Sequence, residues 1–153
     1  MKGIEQIVRE HPFFQGLDEA FCDLVCTCAR NVRFDSGEYL LHEGGLADTL
    51  YLIRHGRVAL EIAVPGRSAV RFQTLGDDEL VGISWLVPPY RWAYDARAIE
   101  LTRAIVMDAG CLRNKCESDH DLGYEVIKRL MPILVGRLQA TRMQILDVYG
   151  APG

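Results

Sequence analysis

The 153 residues are the length of one domain and suffice to bury a hydrophobic core. Apolar residues make up 49% of the chain, yet no run approaches the roughly 20 apolar residues of a membrane span, and the first residues do not form a signal peptide. A net charge of −4 argues against a nucleic-acid surface, and five cysteines outside any small secreted framework indicate mostly free thiols. We therefore expect a single domain, residues 1–153, in the cytoplasm and not in a membrane.

The first thirty residues predict a helical lead-in, with helices at residues 2–10 and 18–30. The first helix should end before Pro12, because the residue that precedes a proline disfavours helical backbone. The second should begin after Asp18, whose carboxylate can cap the first free backbone N–H groups.

Residues 31–108 predict a β-rich body of short strands separated by turn residues. The clearest β-rich runs are residues 39–42, 49–53, 58–62 and 69–72. Turn signals at intervals of roughly 8 to 12 residues favour an antiparallel barrel or sandwich over alternating strands and helices. One short helix is predicted near residues 82–86.

Residues 109–149 predict two C-terminal helices, a short one at 109–117 and a long one from about 121. The long helix carries a heptad seam whose members are Ile127, Met131, Leu134, Leu138, Thr141, Ile145 and Val148. A seam with a single polar member requires a partner helix, from the body or from a second copy of the chain. We expect a homodimer through this helix. Pro132 should either kink the helix or begin a new one.

Two motifs carry a resemblance to a known family. Residues 34–44 (FDSGEYLLHEG) and 48–53 (DTLYLI), followed by Gly56, resemble the cyclic nucleotide-binding domain of Crp/Fnr-type regulators. The resemblance implies an α+β fold: a jelly-roll-like antiparallel β-roll flanked by N-terminal helices and a long C-terminal dimerisation helix. It also implies a small-molecule pocket inside the roll. The helix-turn-helix of these regulators would begin where this sequence ends, so we expect no DNA binding by the chain itself.

The pocket segment departs from these relatives. In the nucleotide-binding members, a Gly-Glu pair supplies a ribose contact, and an arginine about ten residues later meets the cyclic phosphate. Here the pair is Gly82-Ile83, and Trp92 takes the place of the arginine, with Arg91 one residue away. We expect cyclic AMP and cyclic GMP to bind weakly or not at all. Any anionic ligand should depend on Arg91, with Arg97 as second candidate.

Two interpretations of this segment stay open. The aromatic side chains can be packing residues, with the arginines paired to nearby carboxylates. Alternatively, the segment lines a changed pocket for a cyclic nucleotide or related anionic ligand, into which Pro88-Pro89 would present the side chains that follow. The candidate ligand-binding residues are Gly82, Ile83, Ser84, Trp85, Tyr90, Arg91, Trp92, Arg97 and Thr141. Thr141 can contact a base or serve only as the polar seam member.

The role of the cysteines and the function of the chain each allow several interpretations. The spacing of Cys22, Cys26 and Cys28 matches neither a zinc knuckle nor the usual iron–sulfur loops. These cysteines can be buried structural thiols, or they can hold a cluster or form a redox switch. Since no catalytic signature is present, we do not expect an enzyme. The candidate functions are a small-molecule sensor that signals through the dimer helix to a protein partner, a ligand-free scaffold, and a redox or iron–sulfur sensor.

Overall fold

Eight antiparallel strands form two four-stranded sheets in the computed structural model, which describes residues 2–150. The strands are β1 (Ala29–Phe34), β2 (Tyr39–Leu41), β3 (Thr49–His55), β4 (Val58–Ile62), β5 (Val70–Leu75), β6 (Leu80–Val81), β7 (Asp95–Ala98) and β8 (Thr102–Asp108). One sheet has the order β1-β8-β3-β6 and the other β2-β7-β4-β5. The predicted α+β fold with an antiparallel β-roll is confirmed.

The N-terminal lead-in consists of α1 (Ile4–Glu10), a 3₁₀ turn and α2 (Glu19–Cys26). Asp18 caps α2 as predicted, because its carboxylate accepts a hydrogen bond of 2.8 Å from the backbone N–H of Ala20. The prediction that α2 extends to residue 30 was wrong. Residues 29–34 instead pair with β8, a long-range contact that overrides local helical spacing.

The C-terminal part contains α3 (Ala109–Ser118) and α4 (His120–Gly150), in agreement with the predicted pair of helices. Pro132 lies inside α4, so the alternative in which it begins a new helix was wrong. The side of α4 that packs on the body buries Leu122, Val126 and Leu130.

The heptad seam lies on another side of α4 and is exposed. Leu134, Leu138 and Ile145 keep 39%, 52% and 51% of their surface accessible. The seam therefore does not pack against the body within the described protomer, and its pairing with a partner helix stays a prediction. No helix within residues 2–150 has an apolar stretch long enough to cross a bilayer.

Cys28 and Cys111 form a disulfide that joins the turn directly before β1 to α3 across 83 positions of sequence. Cys22, Cys26 and Cys116 are free. The sequence therefore correctly predicted that most of the cysteines are free thiols, but it contained no signal for the pair Cys28–Cys111.

Reduction of this disulfide should lower the stability of the folded chain. A crosslink that closes a loop of this length restricts the unfolded chain and contributes about 2 to 4 kcal/mol. We expect the urea midpoint to fall in the presence of a reductant, and the Cys28→Ser/Cys111→Ser variant to match the reduced wild type. A Cys116→Ser variant is the control for loss of a free thiol. Equal midpoints for oxidised and reduced wild type would contradict this expectation.

Candidate functional site

Gly82 begins the candidate pocket, directly after β6. Its φ of +98° lies in the left-handed region, and a Cβ there would come within 2.8 Å of Cη2 of Trp92. Only glycine meets both conditions without strain. The backbone of Gly82 and the Trp92 indole thus occupy adjoining space inside the roll.

The predicted short helix follows as a 3₁₀ turn, Ser84–Leu86, with Ile83 at its N-cap position. Trp85 in this turn is completely buried, and its carbonyl accepts a hydrogen bond from the Arg113 guanidinium of α3. Trp85 belongs to the hydrophobic core. The turn is therefore attached to α3 through both packing and a charge-assisted hydrogen bond.

Tyr90 contacts α3 through its ring and the β2–β3 loop through its backbone. Its ring lies beneath the Arg113 guanidinium, whose central carbon is 4.4 Å from the ring centroid. Its backbone carbonyl accepts a hydrogen bond of 2.7 Å from Ala47. The segment after Pro88-Pro89 thus anchors to α3 and to the β2–β3 loop before it turns inward.

Trp92 is the residue that points into the roll. Only 6% of it is exposed, and its indole lies against the backbone of both Gly82 and Gly45. Two backbone hydrogen bonds of 2.9 Å, from Trp92 to Gly45 and from Gly44 to Trp92, fix its position. The large side chain therefore fills space next to Gly82 that a smaller or absent side chain would leave open.

Arg91 is exposed, and its guanidinium donates to the carbonyl of Gly44 at 3.4 Å. Successive side chains of extended backbone point to opposite sides, so an inward Trp92 directs Arg91 outward. This placement gives no support to the expectation that Arg91 reaches a ligand inside the roll.

Arg97 is occupied by an ion pair on the second sheet. Its Nε and Nη2 atoms donate to the two carboxylate oxygens of Glu61 at 3.0 and 2.9 Å. Glu61 is only 5% exposed, and the hydrogen bonds from Arg97 lower the pKa of its carboxyl. This bidentate ion pair compensates both charges. Arg97 could therefore bind another anion only by leaving Glu61 buried and unpaired.

Residues 31–119, from within β1 to just beyond α3, match the model of the family described as the cyclic nucleotide-binding domain. This match covers more than half of the chain. The chain belongs to the cyclic nucleotide-binding domain family.

Solved structures of the family have the same fold. A Geobacter metallireducens GS-15 protein, named as a cyclic nucleotide-binding protein, is 25% identical with a TM-score of 0.78, over 90% of this chain and 99% of that one. A cyclic nucleotide-binding domain from Methylobacillus flagellatus KT is 21% identical with a TM-score of 0.78, over 98% and 83%. The Thermus thermophilus catabolite activator protein is 24% identical with a TM-score of 0.70, over 91% and 63%. The last two comparisons show the fold alone.

Sequence reasoning missed one cation beside the pocket of this cyclic nucleotide-binding domain. Arg137 of α4 is half-buried and donates a hydrogen bond to the carbonyl of Leu80 in β6. It also lies near the Tyr94 hydroxyl: burial raises the pKa of Tyr94, while Arg137 and the Gly82 backbone lower it. Arg137 follows Leu130 by seven positions, which places it on the body-facing side of α4. That spacing was the available signal.

Thr141 does not join this cluster. Its hydroxyl donates at 2.9 Å to the carbonyl of Arg137, four residues earlier in the same helix, and the residue is exposed. Farther along α4, the Gln144 side chain donates to the carbonyl of Phe72. The α4 helix thus touches the roll at Leu80 and Phe72 through polar contacts that do not use Thr141.

The free cysteines do not form a metal centre within the described part of the chain. Among residues 2–150, no three His, Cys, Asp or Glu side chains lie together at distances that could hold a metal ion. Burial raises the pKa of Cys22 and Cys26, which favours the neutral thiol over the thiolate that binds metals. These observations favour a structural role for both thiols.

Proposed function

We propose that this cyclic nucleotide-binding domain is a non-enzymatic regulatory module that does not bind cyclic AMP or cyclic GMP in the usual manner. The observation that carries the proposal is the buried Trp92 indole against Gly82. In the alignment with the nucleotide-binding relatives, this is the position of the arginine that meets the phosphate. An apolar ring there supplies no charge and fills space beside the turn that would hold the anion.

The two neighbouring arginines do not replace the missing one. Arg91 is directed outward, and Arg97 is paired with the buried Glu61. Ile83 offers no acceptor for a ribose hydroxyl. The pocket thus lacks both polar contacts that the resemblance assigns to a cyclic nucleotide.

The output of the module is assigned to α4. This helix touches the roll through Arg137 and carries the exposed apolar seam along its outer side. We propose that the seam pairs with the same helix of a second copy, and that the dimer presents its surface to a protein partner. We expect no DNA binding by this chain itself.

A second candidate function is a sensor for a different anionic ligand, and Arg137 is the observation that favours it. Among the candidate pocket residues it is the half-buried cation that reaches β6 from α4. A ligand that displaced Trp92 could recruit this guanidinium by a charge-assisted hydrogen bond. In that case the Arg137→Ala variant loses ligand-induced stabilisation, while Arg91→Ala retains it.

Calorimetry with cyclic AMP and cyclic GMP tests the main proposal. We expect no binding in the micromolar range, because loss of a hydrogen bond to a charged group costs about 1.5 to 3 kcal/mol and two such contacts are absent. A thermal shift screen with both ligands provides an independent measurement, since a bound ligand raises stability by mass action. Micromolar binding of either nucleotide by the wild type would refute the proposal.

A further inference from the structure

A basic groove lies away from the roll interior, at the edge of the first sheet beside α1. Its cavity volume is about 430 Å³, within the range of small-molecule sites. The cationic members of its lining are Lys2, Arg33, Arg54 and Arg103, and the described lining residues include no carboxylate. We call this surface the arginine groove.

The strand register brings two of these arginines directly together. Arg33 of β1 and Arg103 of β8 are opposite each other in the antiparallel ladder. Directly opposed residues have their Cβ atoms about 5 Å apart, and two like charges in this position destabilise the sheet. Arg54 of β3 lies at the register shift between Ile53 and His55, the partner of Arg103, and it lines the same groove. Three adjacent strands therefore each deliver a guanidinium to the same groove.

Carboxylates at the edge of the groove compensate only part of this charge. Asp35 is 3.2 Å from Arg33, and Glu10 is 2.7 Å from Lys2. The Arg54 guanidinium makes only a long contact of 3.5 Å with the amide oxygen of Asn31, and Arg103 has no ion pair within residues 2–150. Neither Arg54 nor Arg103 thus has a carboxylate at ion-pair distance within the described residues, although Arg54 is near enough to Glu10 to help lower the pKa of that carboxyl.

We propose that the arginine groove binds a compact polyphosphate, either inorganic or the phosphate chain of a nucleotide. Guanidinium groups suit phosphate oxygens because their planar N–H groups form paired, charge-assisted hydrogen bonds. The concave shape and the acidic edge residues fit a short anion better than an extended nucleic acid or a lipid surface. The net charge of −4 over the whole chain also opposes long-range attraction of a large polyanion. This site is independent of the cyclic nucleotide pocket.

Titration calorimetry of the full chain with inorganic tripolyphosphate tests the proposal. We expect saturable binding with one site per protomer, and at least a tenfold loss of affinity for both Arg54→Gln and Arg103→Gln. Arg67→Gln is the matched control, because it removes one exposed arginine from the turn between β4 and β5 and should leave affinity unchanged. ATP in a parallel titration distinguishes the sources: equal affinity indicates recognition of the phosphate chain alone, and tighter ATP binding indicates a nucleotide.

A second measurement separates a binding role from a structural one. Without ligand, Arg103→Gln should melt at a higher temperature than the wild type, because it relieves repulsion from Arg33. Tripolyphosphate should raise the melting temperature of the wild type by more than it raises that of Arg103→Gln. Absence of tripolyphosphate binding by the wild type, or an equal loss in Arg67→Gln, would overturn the proposal. So would tighter, salt-sensitive retention of double-stranded DNA, which would indicate a nucleic-acid surface instead.

Discussion

The Leu134→Lys/Leu138→Lys variant should be monomeric in analytical ultracentrifugation at concentrations where the wild type is a dimer. Both leucines lie in the exposed seam of α4, and two lysines there would place four like charges in the dimer contact. Because about half of each leucine is still accessible in the protomer, burial of the remainder contributes about 0.7 to 1.5 kcal/mol per leucine. Four leucines per dimer make the expected loss of dimer affinity at least about a hundredfold.

A matched control introduces the same charges elsewhere on the helix. Gln139→Lys/Ala140→Lys adds two lysines at exposed positions that lie off the seam, and should leave the dimer intact. Circular dichroism shows whether the seam variant keeps its fold, which we expect because neither leucine is in the core. A folded seam variant that sediments as a dimer would show that another surface holds the two copies.

The Ile83→Glu/Trp92→Arg variant should acquire binding of cyclic AMP. The glutamate restores an acceptor for the ribose hydroxyl, and the arginine replaces the indole beside Gly82 with a charge for the phosphate. Two restored contacts to charged groups amount to about 3 kcal/mol or more, which corresponds to at least a hundredfold gain in affinity.

This variant has a cost in stability that provides a second readout. Replacement of the buried Trp92 removes apolar packing worth about 3 kcal/mol or more, so the ligand-free variant should melt at a lower temperature. Cyclic AMP should reverse part of this loss. The Ile83→Glu single variant, which keeps the indole, should gain no affinity. A folded double variant that fails to bind would show that more than these two side chains excludes the nucleotide.

The sequence predicted local features of the fold well. The runs at 49–53 and 58–62 became strands, the Asp18 cap formed, and the short helix near 82–86 appeared as the turn Ser84–Leu86. These features depend on the side chains of a few neighbouring residues, which a single sequence displays directly. The family resemblance supplied the roll topology, which local patterns alone do not specify.

Long-range contacts at the candidate site were beyond sequence reasoning. The pairs Arg97–Glu61 and Cys28–Cys111 lie 36 and 83 positions apart, and nothing in the local pattern connects their members. The alignment placed Trp92 at the position of the arginine, but the directions of the Trp92 and Arg91 side chains required the backbone path. Arg137 was missed because the sequence analysis of α4 considered the heptad seam, which lies on the exposed side of the helix.

The hydrogen bond from Arg137 to Leu80 joins α4 directly to the roll. If a molecule that entered beside Gly82 displaced this guanidinium and thereby changed the affinity between two copies, dimer formation would change the affinity for that molecule by the same factor. A solution of the protein would then bind such a molecule with a strength that depends on protein concentration. Under the proposed dimerisation, this single arginine would make the concentration of the protein itself a signal to which the domain responds.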